Sequence, residues 1–380
     1  MNGRAIHPAE RLPIGPIERA DFITVRLPFL APFGTSVHTW SVKEALLLRL
    51  EAGGLVGWGE CVADPDPYYA SETTTSAAHI LKAFLLPCLE PALTLGELLE
   101  RIRPVRGNRM AKATLENALL DLLARRQGLP LHELLGFPAR PIPSGISLGI
   151  QDSVEALLAQ VEEAVAKGYH RVKMKIMRGK DVDWVAAVRA RFPQLPLMAD
   201  ANGDYALADA EHLARLDPFG LTMIEQPLSY TDIAQHAHLQ GCLATPLCLD
   251  ESIHDLEDAL AAIELGSCRI INVKQGRVGG LLESLRIAAA CAERGIGVWS
   301  GGMDETGLGR AVNIHLQTAP GFSLPGDTSE TSRYFREDIV EPPVTLEPGG
   351  WIAVPAGPGI GVEVIPDRLA KFTLRQEQVL

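Results

Sequence analysis

The sequence predicts a two-part α/β protein, a closed parallel barrel joined to a smaller α+β unit, and three observations predict it. From about Pro143 onward, eight short apolar runs alternate with helix-like segments: IPSGISLGI, RVKMKI, PLMAD, LTMIEQP, PLCLDE, CRIINVK, IGVWSGG and FSLPGD, with stretches such as SVEALLAQVEEAVAKG between most of them. Strands in that number with interleaved helices call for a closed barrel rather than an open sheet. An open doubly wound sheet usually has a glycine-rich phosphate loop after its first strand, and ISLGIQ is not one. Length is the second observation, because 380 residues exceed the roughly 250 of a barrel by enough for one smaller domain. The third is a change of pattern along the chain.

The first third reads as antiparallel strands followed by helices. DFITVRLPF and KEALLLRLEA alternate in the manner of strands, and GGLVGWGECVA returns after a Gly-Gly turn. ATLENALLDLLARRQ is the clearest helix, with apolar residues three and four apart and GLP closing it. After about Asp327 the chain is rich in Pro and Gly (EPPVTLEPGGWIAVPAGPGIGVEV) and reads as strands and turns returning to the first domain. The expected organisation is a cap over residues 1–140, a barrel over 141–330 and a returning segment over 331–380.

Composition narrows the function classes. With 47% hydrophobic and 22% charged residues the chain is core-forming. A formal charge of −12 repels a phosphate backbone, so nucleic acid is not an expected partner. No run approaches the 18 or so apolar residues of a membrane helix, and the N-terminus lacks a signal-peptide core, so a soluble, cytoplasmic protein is expected. The six cysteines form no CxxC pair and are expected to be buried thiols.

Charged residues stand at the C-terminal ends of the apolar runs. PLMAD ends at Asp200, LTMIE at Glu225 and PLCLD at Asp250, at intervals of 25 residues, about one strand, one helix and two short loops. Three consecutive strands therefore deliver carboxylates to the C-terminal rim, where barrel active sites are built. Such carboxylates repel one another unless neutralised, and an oxygen-only ligand set suits Mg²⁺ or Mn²⁺. The alternative for each is a helix N-cap, an explanation that weakens when three fall in step. In RVKMKI, Lys173 and Lys175 share one strand face while Val172, Met174 and Ile176 share the other, so the lysines are expected inside the barrel. Lys274 ends the sixth strand, across the barrel from the second. A metal that binds a substrate carboxylate favours loss of the α-proton, and a lysine is a competent base if its pKa falls toward neutrality. Lys173 is expected to lower Lys175, and Arg277 either to lower Lys274 or to form a surface ion pair. His236 and His238, two apart in a helix-like segment, do not share a face and are not expected to bind metal.

These residues resemble the enolase superfamily, muconate-lactonising subgroup: KxK on a second strand, Asp200 in MADAN, Glu225 in IEQP, Asp250 in CLDES and Lys274 in INVKQGRVGG. PFGTS, GWGECVADPDPYYASET, RGNRMAKATLENALLDL, GISLGI, GGMDETGLGRA and LPGDTS are similar to the o-succinylbenzoate synthases, enzymes of menaquinone synthesis, that also racemise N-acylamino acids. The resemblance implies a TIM-like (β/α)₇β barrel under a cap built from both chain ends, with Mg²⁺ on Asp200, Glu225 and Asp250. It implies that Lys175 removes the α-proton of a small carboxylate substrate, supported by Lys173. Lys274 is then either the opposite acid/base of a racemase or a cation that stabilises the enediolate of a dehydratase. Asn202 is expected beside the metal with Glu251 behind it, and Ser147, Gly301, Gly302 and Met303 around the acyl pocket. The Phe33 to Ser36 loop and Tyr68 are expected to close over it, and homo-oligomers are expected. A dipeptide epimerase, a muconate-type cycloisomerase or a barrel that binds without turnover are the alternatives. Two positions depart from the branch: Asp304 replaces an aliphatic residue and Gly203 a small polar one. An Asp304 that faces the pocket should disfavour an acidic acyl group.

Overall fold

The computed structural model describes residues 6–34 and 39–380, without the side chain of Phe33. Thr35, Ser36 and that side chain, in the loop expected to close over the pocket, lie outside the described residues.

The chain begins with an antiparallel meander, β1 (Arg19–Gly34), β2 (Thr39–Ala52) and β3 (Leu55–Cys61). Gly53 and Gly54 supply the left-handed backbone, φ 60° and 74°, that turns β2 into β3. The helix Arg109–Gln127 then packs against β3. This close packing is the reason for the glycines of GWGEC: a Cβ on Gly59 would stand 2.0 Å from the Thr114 carbonyl oxygen, and one on Gly57 2.3 Å from that of Ala118. The same helix is buried nearly all round. Two of its polar side chains reach across the boundary with the barrel, Glu116 accepting from the Leu282 amide at 3.0 Å and Asn117 donating to Gln275 Oε1 at 2.9 Å.

A short strand β4 (Ile142–Pro143) leads into seven parallel strands: β5 (Gly145–Leu148), β6 (Arg171–Lys175), β7 (Leu197–Asp200), β8 (Ile224–Glu225), β9 (Leu247–Leu249), β10 (Ile270–Val273) and β11 (Gly297–Ser300). They pair in chain order, β5 to β11. The eighth apolar run, FSLPGD, forms no regular strand but bridges the two edges of this sheet. Leu324 donates to the Val298 carbonyl (3.2 Å), Asp327 to that of Ser300 (2.9 Å), and Gly145 to that of Gly326 (2.7 Å). Pro325 lacks the N–H that a continuous ladder would need. The barrel expected from the sequence is thus present.

Beyond it, β12 (Val340–Glu341), β13 (Trp351–Ile352) and β14 (Glu363–Val364) are two-residue strands, and β15 (Thr373–Gln378) pairs with β1 as the outer strand of the cap sheet, ordered β15-β1-β2-β3. Asp121 ties the same end of the chain to the cap, accepting from the amides of Trp58 (2.9 Å) and Ile360 (2.8 Å).

Side-chain alternation on β6 falls as its sequence dictates. Val172, Met174 and Ile176 join the main core, while Arg171 and Lys173 point inward, their cationic groups 4.8 Å and 5.0 Å from the centre of the Trp299 ring. Trp299 packs with Met198, Met223, Cys248 and Ile270 in a separate apolar cluster inside the barrel. Four cysteines are buried as expected, but Cys88 is half-buried and Cys242 exposed at a helix end. No helix among the described residues is long and apolar enough to cross a membrane.

Candidate active site

Register explains why three strands present their charges at one level. Lys175 of β6 is opposite Asp200 of β7, and Asp200 is opposite Glu225 of β8. Glu225 in turn is opposite Cys248 of β9, so Asp250 stands two residues further along. All three carboxylates are at most 1% exposed. They are held by cations: Lys173 Nζ lies 2.9 Å from Asp200 and 2.6 Å from Glu225, and Lys175 Nζ 2.5 Å from Asp200. On the opposite side Lys274 Nζ is 2.9 Å from Asp250, which also pairs with the Arg277 guanidinium. Arg277 is buried rather than at the surface, donating to the carbonyls of Ile253 (3.0 Å) and Asn272 (2.9 Å).

Electrostatics follow from this pairing. Burial alone would raise the Asp200 and Asp250 carboxyls, but Lys173 and Lys175 hold the first, and Arg277 and Lys274 the second, well below the usual range. Burial, with Asp200 beside it, pushes Glu225 up. Burial would lower Lys173 and Lys274, yet the neighbouring carboxylates keep both well above an ordinary lysine. The lowering of Lys274 by Arg277 expected from the sequence is therefore outweighed by Asp250.

Neutral donors hold the carboxylates in place. Asn272 donates to Glu225 Oε1 at 2.8 Å. Gln226 accepts the Asp250 amide at 2.9 Å and donates to Ser252 Oγ at 2.6 Å, with its own backbone at φ 38°. Asn202, at φ 44°, accepts from Lys175 at 2.7 Å and donates to Glu251 Oε1 at 2.9 Å. Neither Asn272 nor Gln226 was singled out in the sequence, although Gln226 follows Glu225 directly and Asn272 lies two residues before Lys274.

Among the described residues, no three His, Cys, Asp or Glu side chains stand close enough to hold a metal ion as they are. Lys173 stands between Asp200 and Glu225 instead. The donor chemistry nevertheless suits a hard divalent cation. Asp200, Glu225 and Asp250 offer only oxygens, and Glu225 Oε2 and Asp250 Oδ2, although ion-paired, make no hydrogen bond.

Lys173, Lys175 and Lys274 open on one cavity, with Ser147, Gly302 and Met303 in its wall. Gly301 acts from behind, where a Cβ would stand 2.8 Å from Lys274 Cε. Tyr68 lines an adjoining cleft with Asn202 and Glu251, and its neighbour Tyr69 also reaches the cavity, accepting from Lys274 Nζ at 2.7 Å. Asp304 faces the cavity, not solvent, beside Lys43 and Asp64 of the cap. Lys43, Asp64 and Asp327 were not singled out, although Asp327 ends a strand-like run just as Asp200 does.

A family profile described as mandelate racemase / muconate lactonizing enzyme, N-terminal domain, matches residues 19–136, and one described as enolase C-terminal domain-like matches residues 156–368. The chain belongs to the mandelate racemase / muconate lactonizing enzyme family. This family membership agrees with the enolase-superfamily resemblance of the sequence. An o-succinylbenzoate synthase of Geobacillus kaustophilus is 49% identical over 92% of this chain and 94% of its own length. An N-succinylamino acid racemase of Amycolatopsis sp is 47% identical over 92% and 94%. A solved enolase-superfamily structure from Listeria innocua superposes with a TM-score of 0.92 at 42% identity, covering 96% of this chain and 99% of that one.

Proposed function

We propose that this family member removes the proton α to a carboxylate, acting as an o-succinylbenzoate synthase, an N-acylamino acid racemase, or both. One observation carries the reading: lysines from opposite sides of the barrel, Lys175 on β6 and Lys274 after β10, line the same cavity. A substrate between them has an amine on each face of its α-carbon. Lys175 takes the proton and Lys274 returns one to the opposite face in racemisation. In dehydration Lys175 alone can serve: it takes the α-proton and returns it to the hydroxyl on the same face as the C–O bond breaks and water leaves, while the Lys274 ammonium offsets negative charge on the substrate.

Asp200, Glu225 and Asp250 would hold Mg²⁺ or Mn²⁺. The cation would supply positive charge to the substrate carboxylate, which gains a second negative charge as the α-proton leaves. Lys175 must be neutral to accept a proton, so it has to release Asp200. Lys173, on the same face of β6, stands between Asp200 and Glu225 and supports Lys175 by holding those carboxylates. Asn202 orients Lys175 through its side-chain oxygen, and Glu251 orients Asn202. Ser147, Gly302 and Met303 shape the cavity.

The reading is tested by a paired assay of the Mg²⁺-loaded protein on the o-succinylbenzoate precursor and on N-succinyl- and N-acetyl-amino acids, following turnover and deuterium incorporation at the α-carbon. Turnover or exchange on either class supports it. Bound metal with neither would sink it.

A further inference from the structure

We infer that Asp304 is a specificity-determining residue that directs this site toward substrates whose distal group is a hydrogen-bond donor, an amide or a cation, and away from those ending in a carboxylate. The inference deepens the proposed function and rests on it for the identity of the reaction.

Asp304 follows the seventh barrel strand, in the GGMDETG stretch. Its backbone has φ 54°, a left-handed conformation uncommon outside glycine, and its side chain lines the cavity shared by Lys173, Lys175 and Lys274. Among the described residues its carboxylate makes no hydrogen bond or ion pair.

The neighbouring charges do not neutralise it directly. Lys43, reaching in from β2, is 3% exposed and already engaged: Nζ donates to the carbonyls of Met303 (2.9 Å) and Val62 (3.4 Å) and lies 3.5 Å from Asp64. Glu305, next along, turns away from the cavity, accepting from the Met303 amide (3.0 Å) and from Asn313 (2.9 Å). Glu60 is likewise engaged, by Thr306 and Gly309. This end of the cavity thus holds two carboxylates, Asp64 and Asp304, against one ammonium, with Phe29, Trp40 and Tyr334 around them.

A carboxylate brought here meets like charge in a partly desolvated pocket, and the nearby cations are engaged, Lys43 as above and Arg310 with the carbonyls of Glu305 (2.8 Å) and Ser329 (3.4 Å). An amide N–H or an ammonium finds an acceptor without a partner. Two of the similar proteins are named for succinyl compounds, so the inference sets the substrate preference of this chain apart from what those names indicate.

The experiment uses two matched pairs of N-acylamino acids that differ only in a terminal carboxylate or primary amide. One pair varies the acyl end (N-succinyl against N-succinamoyl) and the other the side chain (N-acetylglutamate against N-acetylglutamine). In the pair whose varied group reaches Asp304, kcat/KM for α-proton exchange is expected to favour the amide at least tenfold. D304N and D304L, checked for folding by circular dichroism, are expected to lower that ratio at least tenfold. A preference for the carboxylate in both pairs, or ratios unmoved in both variants, overturns the inference. Binding of the same compounds to Mg²⁺-loaded K175A by calorimetry gives a readout independent of turnover. If the amides bind tighter but the unmodified protein exchanges no α-proton, the reaction assignment fails and the role of Asp304 stands. If the carboxylates bind tighter, the role of Asp304 fails whatever the turnover.

Discussion

Two walls enclose the cavity, and they are built differently. The wall from β6 to β10 draws its charges from successive strands in register, so that Lys175, Asp200 and Glu225 stand side by side across three neighbouring strands. The wall where the cap meets the end of β11 is assembled from separate places in the chain: Lys43 contacts Met303 across 260 residues, and behind the cavity the same docking of cap on barrel joins Glu116 to Leu282 across 166. The first wall is a consequence of strand periodicity and of connections of nearly constant length. The second exists only because two domains dock.

Substitutions should therefore act on chemistry in the first wall and on docking and selectivity in the second. The largest effect is expected for K175A, which should cut α-proton exchange into deuterated solvent by about 10³-fold or more, near the upper range for loss of a general base. Its circular dichroism and Mg²⁺ affinity should be preserved, and retained exchange would remove Lys175 from the mechanism. N272A takes away the donor that holds Glu225 and should weaken Mg²⁺ binding by about 10- to 100-fold, a loss measurable by calorimetry. Unchanged affinity would mean that Asn272 serves the barrel interior and not the ligand.

In the second wall, K43M strips the donor from two buried carbonyls and from Asp64, and should lower stability by about 1–3 kcal/mol in a denaturant titration while the α-exchange kcat falls far less than in K175A. Equal losses in the two would erase the contrast between the walls. The smallest effect concerns pH. Burial pushes Glu116 up from 4.5 to about 7, so the folded state holds that proton more tightly than the unfolded chain. Its contribution to stability is complete below about pH 4.5 and is lost as pH rises through about 7. E116Q should flatten that part of the thermal-stability profile. A profile identical to that of the unmodified protein would show that Glu116 does not titrate in this window.

Legibility in the sequence followed the same division. The barrel could be read from alternating runs, and the inward set of β6 from a two-residue period. The three carboxylates were legible because each ends an apolar run. By the same signal Asp327, which ends the run FSLPGD, was equally legible. Tyr68 and Tyr69 show the limit of the method. They adjoin in a loop with no periodicity, and only the fold turns Tyr69 toward Lys274 and leaves Tyr68 in the neighbouring cleft. The cysteines show it again, Cys242 standing exposed at a helix end that composition could not identify.

By itself, the sequence determined the elements and the chemistry carried at their ends, because period, strand length and the identity of a terminal residue are local properties. Tertiary structure decided which distant groups share a cavity and which charges remain unpaired there. Arg277 could have formed a surface ion pair or lowered Lys274, yet the pairing of β9 with β10 buries it against Asp250. Asp304 could have faced solvent, and it faces the cavity because a left-handed turn after β11 presents it there while Lys43 is engaged elsewhere. The pairing of buried charges depends on distances of a few ångströms between segments far apart in the chain, and those distances are set when the cap closes on the barrel.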